Sequence, residues 1–196
     1  MSARDAILAT VRANRPAGEH GLPELPDFPA AEGGDIASLF VRNLEAMGGG
    51  AILSADAASV LARLCAGAGV VASAVPEFAG NRDLAAVAHP RELADVDIMI
   101  ARGALGVAET GSVLLLDTAL RCNAAAYLAQ HLILLLDPAA IVPTMGAAYR
   151  RPEFAQHRYA SFHTGPSATA DIEGVLIHGA QGVRSLTVIL RPPAPE

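Results

Sequence analysis

Apolar residues fall along the chain in short runs of two different periods. Ile7, Leu8 and Val11 recur at helical spacing behind Ser2, which predicts a short amphipathic helix over residues 2–14. From Pro16 to Gly34 the chain carries Pro16, Pro23, Pro26, Pro29, Gly33 and Gly34 among scattered apolar residues. That composition predicts an extended arm, with the globular part beginning near Asp35. Asp35 stands where a helix cap belongs, ahead of an apolar face of Ile36, Leu39, Phe40, Leu44 and Met47, and Gly48-Gly49-Gly50 ends the helix before a short strand at 51–53. Ser54 is expected to open a second helix through Val60, Leu61 and Leu64 to Gly67. The run Val70 to Val75, bounded by Gly69 and Pro76 and too short for a helix, reads as a strand.

The alternation continues with a short helix at His89 to Leu93, a strand at Val96 to Ile100, and strands at Gly106 to Ala108 and Ser112 to Leu116. A helix over Asn123 to Ala129 follows. Leu132 to Leu136 is apolar at every position, the signature of a strand buried on both faces, so helices are required on both sides of the sheet that holds it. The remaining chain reads as an irregular segment at 150–158, a loop at 163–167, a short helix from Ala168 to about Glu173, and strands near 175–178 and 186–190, closed by Pro192-Pro193. Such alternation predicts an α/β fold with a largely parallel central sheet.

Composition narrows the function classes. The 196 residues are 52% hydrophobic and 17% charged, enough apolar material for one ordinary domain without metal or disulfide staples. A net charge of -6 is the wrong sign for a nucleic-acid groove. All 14 basic residues are Arg, so neither a Schiff-base lysine nor a phosphate-loop lysine is available, and any anion clamp must use Arg or backbone N–H groups. Cys65 and Cys122 stand far apart with no C-x-x-C spacing, so this chain is expected to hold no cluster or cofactor of its own. Charged and polar residues interrupt every long apolar stretch, and the N-terminus lacks a signal-type apolar region. No membrane span and a cytoplasmic location are therefore expected.

Two segments are candidates for chemistry. In Ala108-Glu109-Thr110-Gly111-Ser112 a carboxylate, a hydroxyl and a glycine meet at a strand junction, where α/β sheets tend to place ligands. Glu109 is a candidate base, nucleophile or orienting acceptor, Thr110 a donor, and Gly111 a point of close backbone approach; the alternative is a tight turn with a solvated Glu. In Thr164-Gly165-Pro166-Ser167 a glycine turn leads into the expected helix, whose first N–H groups would attract a phosphate or carboxylate, with Asp171 one turn on; the alternative is ordinary capping by Ser167. Arg121 is a candidate carboxylate clamp. The six histidines show no metal-ligand spacing, and His163 adjoins the second segment.

The ordered set Gly106-Val107-Ala108-Glu109-Thr110-Gly111-Ser112, Arg121, and Thr164-Gly165-Pro166-Ser167-Ala168-Thr169-Ala170-Asp171-Ile172-Glu173 resembles the LUD domain family, and within it the lactate-utilisation protein C group. The resemblance spans about residues 35–191, dividing the chain into an N-terminal helix and arm (1–34) and the LUD domain (35–196). It implies a fold of the NagB/RpiA/CoA-transferase-like type, with a central largely parallel sheet and helices on both faces. It further implies a role in oxidation of L-lactate to pyruvate beside partner subunits that carry the iron–sulfur clusters. This chain would then be an accessory or regulatory subunit binding a small carboxylate or phosphate, or a partner protein. The alternative is a free-standing sugar-phosphate isomerase or acyl-CoA-transferase-like enzyme using Glu109. The sequence departs from the family pattern at Gln181 and Val183, where relatives carry His and Pro; Gln181 cannot serve as an acid or base near neutral pH.

Overall fold

The computed structural model describes residues 2–18, 21, 24, 26, 34–172, 175–178 and 182–192. Most of the expected arm, together with Glu173, Gln181 and Pro193, lies outside the described residues. The first helix, α1 (Ala3–Ala13), starts on a reciprocal cap: the Ser2 hydroxyl accepts the Asp5 N–H, and the Asp5 carboxylate accepts the Ser2 N–H. No residue of α1 is buried. Helix α2 (Ile36–Ala46) starts at Asp35, whose carboxylate accepts the N–H groups of Ala37 and Ser38, and it buries Phe40 and Leu44. Met47 lies past its last turn and is exposed, so the buried face is one residue shorter than the periodicity predicts.

Strand β1 (Gly50–Leu53) leads to α3 (Ala57–Leu64). Its cap is Asp56, which accepts from Ser59 N–H; Ser54, the residue expected there, instead takes the Asp56 N–H and shapes the preceding turn. Then come β2 (Val71–Ser73), 3-10 turns at Leu84–Ala86 and Pro90–Leu93, β3 (Ile98–Arg102), β4 (Leu105–Val107) and β5 (Ser112–Leu116). Two short helices, α4 (Asp117–Leu120) and α5 (Ala125–Leu128), precede β6 (His131–Leu136) and β7 (Ile141–Val142). The chain ends with α6 (Met145–Tyr149), α7 (Glu153–Gln156), β8 (Ala160–His163), β9 (Ala168–Ile172), β10 (Val175–His178) and β11 (Ser185–Leu190).

Five strands form one wholly parallel sheet in the order β1-β11-β6-β3-β2. The central strand β6 shows why every residue of its run is apolar. Leu132, Leu134 and Leu136 pack on one side with Phe40 and Leu44 of α2 and with Ala125 and Ala126 of α5. Ile133 and Leu135 pack on the other side under Ala57, Val60 and Leu61 of α3. Period-two alternation thus feeds two separate cores, and helices cover both faces as expected. Cys65 belongs to the second core and Cys122 packs against the first, so the sheet separates the two thiols.

A second sheet, ordered β7-β4-β5-β8, is mixed: β4 pairs parallel to β7 and antiparallel to β5, and β5 pairs antiparallel to β8. Its Val113 and Leu115 enter the first core, while Leu105, Val107 and Leu114 form a third with Ala148 and Phe162. The β8 strand lies between the irregular segment at 150–158 and the loop at 163–167, where the sequence pattern predicts no element, because four residues are too few to display a period. The expected helix at Ala168 to Glu173 is corrected: residues 168–172 are strand β9, antiparallel to β10 with an irregular register between Val175 and Ile177. Pairing with the apolar run 175–178 outweighs the helix preference of Ala168 and Ala170, as strand context often does. No described helix is long and apolar enough to cross a membrane.

Candidate functional site

The β4–β5 turn is pinned from several directions. Beyond β4, the N–H groups of Ala108 and Glu109 donate to the carbonyls of Val142 and Pro143, continuing the pairing with β7. The Asn43 side chain, from the last turns of α2, donates to the carbonyls of Ala108 (2.7 Å) and Glu109 (3.1 Å). Gly111 has φ +65, and a Cβ there would lie 2.2 Å from the Leu44 nitrogen. Gly165, at φ +62, repeats the arrangement, with a Cβ that would fall 2.2 Å from the Met47 carbonyl oxygen. Both motif glycines therefore serve close approach to the C-terminal end of α2, a different use from the ligand approach expected of Gly111.

Bracing on one helix end brings the two segments together. Ser112, only 4% exposed, shares hydrogen bonds with Thr110 (2.7 Å) and, through a short contact, with Thr164. The result is a chain of three hydroxyls spanning 110–164, buried at its middle. Glu109 stands at its rim with an exposed side chain, and Glu109 Oε2 accepts the Met145 N–H (2.8 Å) at the start of α6. Its carboxylate is thus an orienting acceptor for a backbone donor and ties α6 to the turn.

Beside Thr164, His163 at the end of β8 is buried, and its Nε2 shares a hydrogen bond with Ser161 Oγ (2.9 Å). Burial pushes the His163 pKa down to about 4, so the ring is neutral near pH 7. The Tyr127 ring lies 5.2 Å from it, and the Tyr127 hydroxyl bonds Tyr159 (2.5 Å). Burial raises the Tyr127 phenol above its ordinary range, Tyr159 adds to the rise, and a hydrogen bond from Ser161 opposes it. Of this polar group only His163 is signalled in the sequence, by adjacency to the motif. Ser161 could have been found from its i, i+2 relation to His163 had β8 been recognised; Tyr127 and Tyr159 carry no local signal.

The placement of these residues in the sheet departs from expectation. Gly165 rests on the backbone just before β1, the Ser167 N–H donates to Val183 just before β11, and Arg184 N–H donates to Gln130 just before β6. The second motif therefore borders the amino ends of the parallel strands, not the carboxyl ends where such sheets commonly bind ligands. Ser167 lies at this border against Gly182, and Asp171 lies within β9. Arg121 is elsewhere. It lines a cleft of about 460 Å³ with Ser73, Asn81, Arg82 and Asp83, at the carboxyl end of β2, in which no other motif residue takes part. Its φ of 57 with ψ of -41, and the Cys122 N–H donated to the Leu120 carbonyl, make it the centre of a tight, strained three-residue turn.

A parallel five-stranded sheet covered on both faces, joined to a mixed sheet whose turn and loop meet at buried hydroxyls, defines an α/β domain with two edge regions of polar side chains. The LUD domain model matches residues 78–190, and the chain belongs to that family. Among solved structures, a DUF162 family protein from Deinococcus radiodurans matches with a TM-score of 0.60 at 18% identity, covering 80% of this chain and 96% of that one; this likeness establishes the shared fold. No curated protein matches the chain in sequence.

Proposed function

We propose that the protein is an accessory or regulatory subunit of the lactate-utilisation protein C type, serving in the cytoplasm an iron–sulfur system that oxidises L-lactate to pyruvate. The clusters belong to partner subunits. The contribution of this chain is to bind a small carboxylate or phosphate, or a partner surface, at the junction built from Glu109, Thr110 and Thr164, with Ser167 and Asp171 further along the same segment extending the surface. One observation carries the reading beyond family membership: two segments more than fifty residues apart in sequence converge on Ser112 and are braced on the same end of α2. The engagement of Glu109 with Met145 N–H favours a positioning role over that of a free general base, and so favours the accessory reading over a free-standing isomerase or transferase.

The test is L-lactate-dependent reduction of an artificial acceptor by the iron–sulfur partners, with this chain absent, present, or carrying Glu109→Gln or Asp171→Asn. Activity is expected to require the wild-type chain and to fall with the variants. Equal rates with and without the chain would overturn the proposal.

A further inference from the structure

Glu77 stands on the loop after β2 and accepts, through Oε1, short hydrogen bonds from Arg102 Nη2 and Arg191 Nη1. Arg102 is the last residue of β3, and Arg191 directly follows β11. Because β6 lies between those strands, the two guanidinium groups straddle its carboxyl end. Both follow the alternation of Ile100 and Ile189, whose side chains face α3, so they emerge on one face of the sheet. Asp137, which follows β6 between them, has its Oδ1 engaged by the Ala139 N–H.

Several features separate this cluster from a simple structural ion pair. Two arginines converge on one carboxylate oxygen, while Glu77 Oε2 is buried and has no hydrogen-bond partner, although each guanidinium offers a fork of donors suited to both oxygens of a carboxylate. Burial works to raise the Glu77 pKa, but the Arg102 hydrogen bond, the residue's own backbone N–H and the charges of both arginines together outweigh it, so the carboxyl sits below its ordinary range and is ionised. Glu77 alone offsets one of the two guanidinium charges, and the Asp137 carboxylate, whose Oδ1 is held by the Ala139 N–H, stands just past the end of the strand between them. Glu77 belongs to a loop, whereas Arg102 and Arg191 are anchored to strands. The arginine side chains remain open to solvent, at 47% and 26% exposure, while that of Glu77 is 14% exposed. The location is the carboxyl edge of an open parallel sheet, the usual ligand position in such folds.

We propose that Arg102 and Arg191 form a binding site for a small carboxylate, which Glu77 fills as an internal occupant and a ligand enters by taking its place. An incoming carboxylate would satisfy both of its oxygens where Glu77 satisfies one, and Glu77 would turn to solvent with its loop. The site shares no residue with the Glu109–Thr164 junction, so its failure would leave the lactate reading untouched.

The experiment is calorimetric titration of the full chain with acetate, pyruvate and inorganic phosphate. Glu77→Gln keeps the shape of the side chain and removes the competing charge. It is expected to raise affinity for acetate and pyruvate about tenfold or more over wild type, and adding Arg102→Gln or Arg191→Gln is expected to abolish the gain. Unchanged affinity in Glu77→Gln, or a gain that survives loss of both arginines, would overturn the proposal; preference for phosphate over both carboxylates would overturn the ligand class. Should Glu77→Gln fail to fold, arginine-selective labelling of the wild-type chain decides. Pyruvate should protect Arg102 and Arg191 while sparing the exposed Arg4, and labelling unaffected by saturating pyruvate would refute the site.

Discussion

Substitution of Gly111 by Ala tests how the β4–β5 turn is held. At φ +65 the new residue would adopt a left-handed conformation that costs about 1–2 kcal/mol for an L-amino acid. Its Cβ would also meet the Leu44 nitrogen at 2.2 Å and the Leu44 Cα at 2.5 Å. These are backbone atoms of a helix and cannot swing aside as a side chain does, so α2 and the turn must separate, an overpacking cost of about 1–3 kcal/mol. Gly67 supplies the control: its φ is +86, but nothing lies within 4 Å of the Cβ position, so Gly67→Ala carries only the conformational cost. Thermal unfolding followed by circular dichroism should show Gly111→Ala losing about 2–5 kcal/mol, equivalent to about 4–20 °C in Tm at this chain length, and Gly67→Ala only about 1–2 kcal/mol. A Gly111→Ala loss no larger than that of Gly67→Ala would refute the claim that α2 backbone contact demands the glycine.

Further outcomes follow from the hydroxyl chain and from His163. Ser112→Ala leaves both Thr110 and Thr164 without their shared partner and should cost about 1–2 kcal/mol in urea unfolding. Thr164→Val should cost less, and the double variant less than the two together; strict additivity would show that Ser112 and Thr164 do not interact. His163 takes its proton at about 4 when folded, against an ordinary 6.5, because burial disfavours the charged ring. The unfolded chain therefore binds that proton first as pH falls. The stability tied to a neutral His163 is fully present above about pH 6.5 and declines to a loss on the order of 3 kcal/mol by about pH 4. His163→Gln should flatten the stability profile within that window, and an unchanged slope would sink the assignment.

Much of the layered framework can be read from local pattern. The run Leu132 to Leu136 already implies a strand with a core on each side, and Asp35 ahead of a helical period marks the start of α2. What escaped did so for physical reasons. Residues 168–172 have no preference strong enough to declare a strand, and only the antiparallel partner at 175–178 decides their conformation. Glu109, Thr110 and Thr164 were legible as motif residues, but their meeting at Ser112 depends on how two glycines pack against α2, which no spacing reveals. Arg121 reads as part of the same motif set and is placed in a separate cleft by its turn after α4. The Glu77, Arg102 and Arg191 cluster is wholly nonlocal, since its members come from a loop and from two strands that are not adjacent in the chain.

The strand order has a consequence for the route by which the chain acquires its structure. β11, ending at Leu190, sits between β1 and β6, so these two never touch each other across the sheet and are joined through the strand that comes latest among the described residues. During translation β1 and α3 must wait, with the inner edge of β1 unpaired, until residue 190 has cleared the ribosome. The pairing of Gly50–Leu53 with Thr187–Leu190 has the longest sequence separation of the described strand pairings, and topologies dominated by such contacts close slowly. Nascent chains stalled before Ser185 should therefore expose a sticky strand edge to holdase chaperones, and the released chain should not.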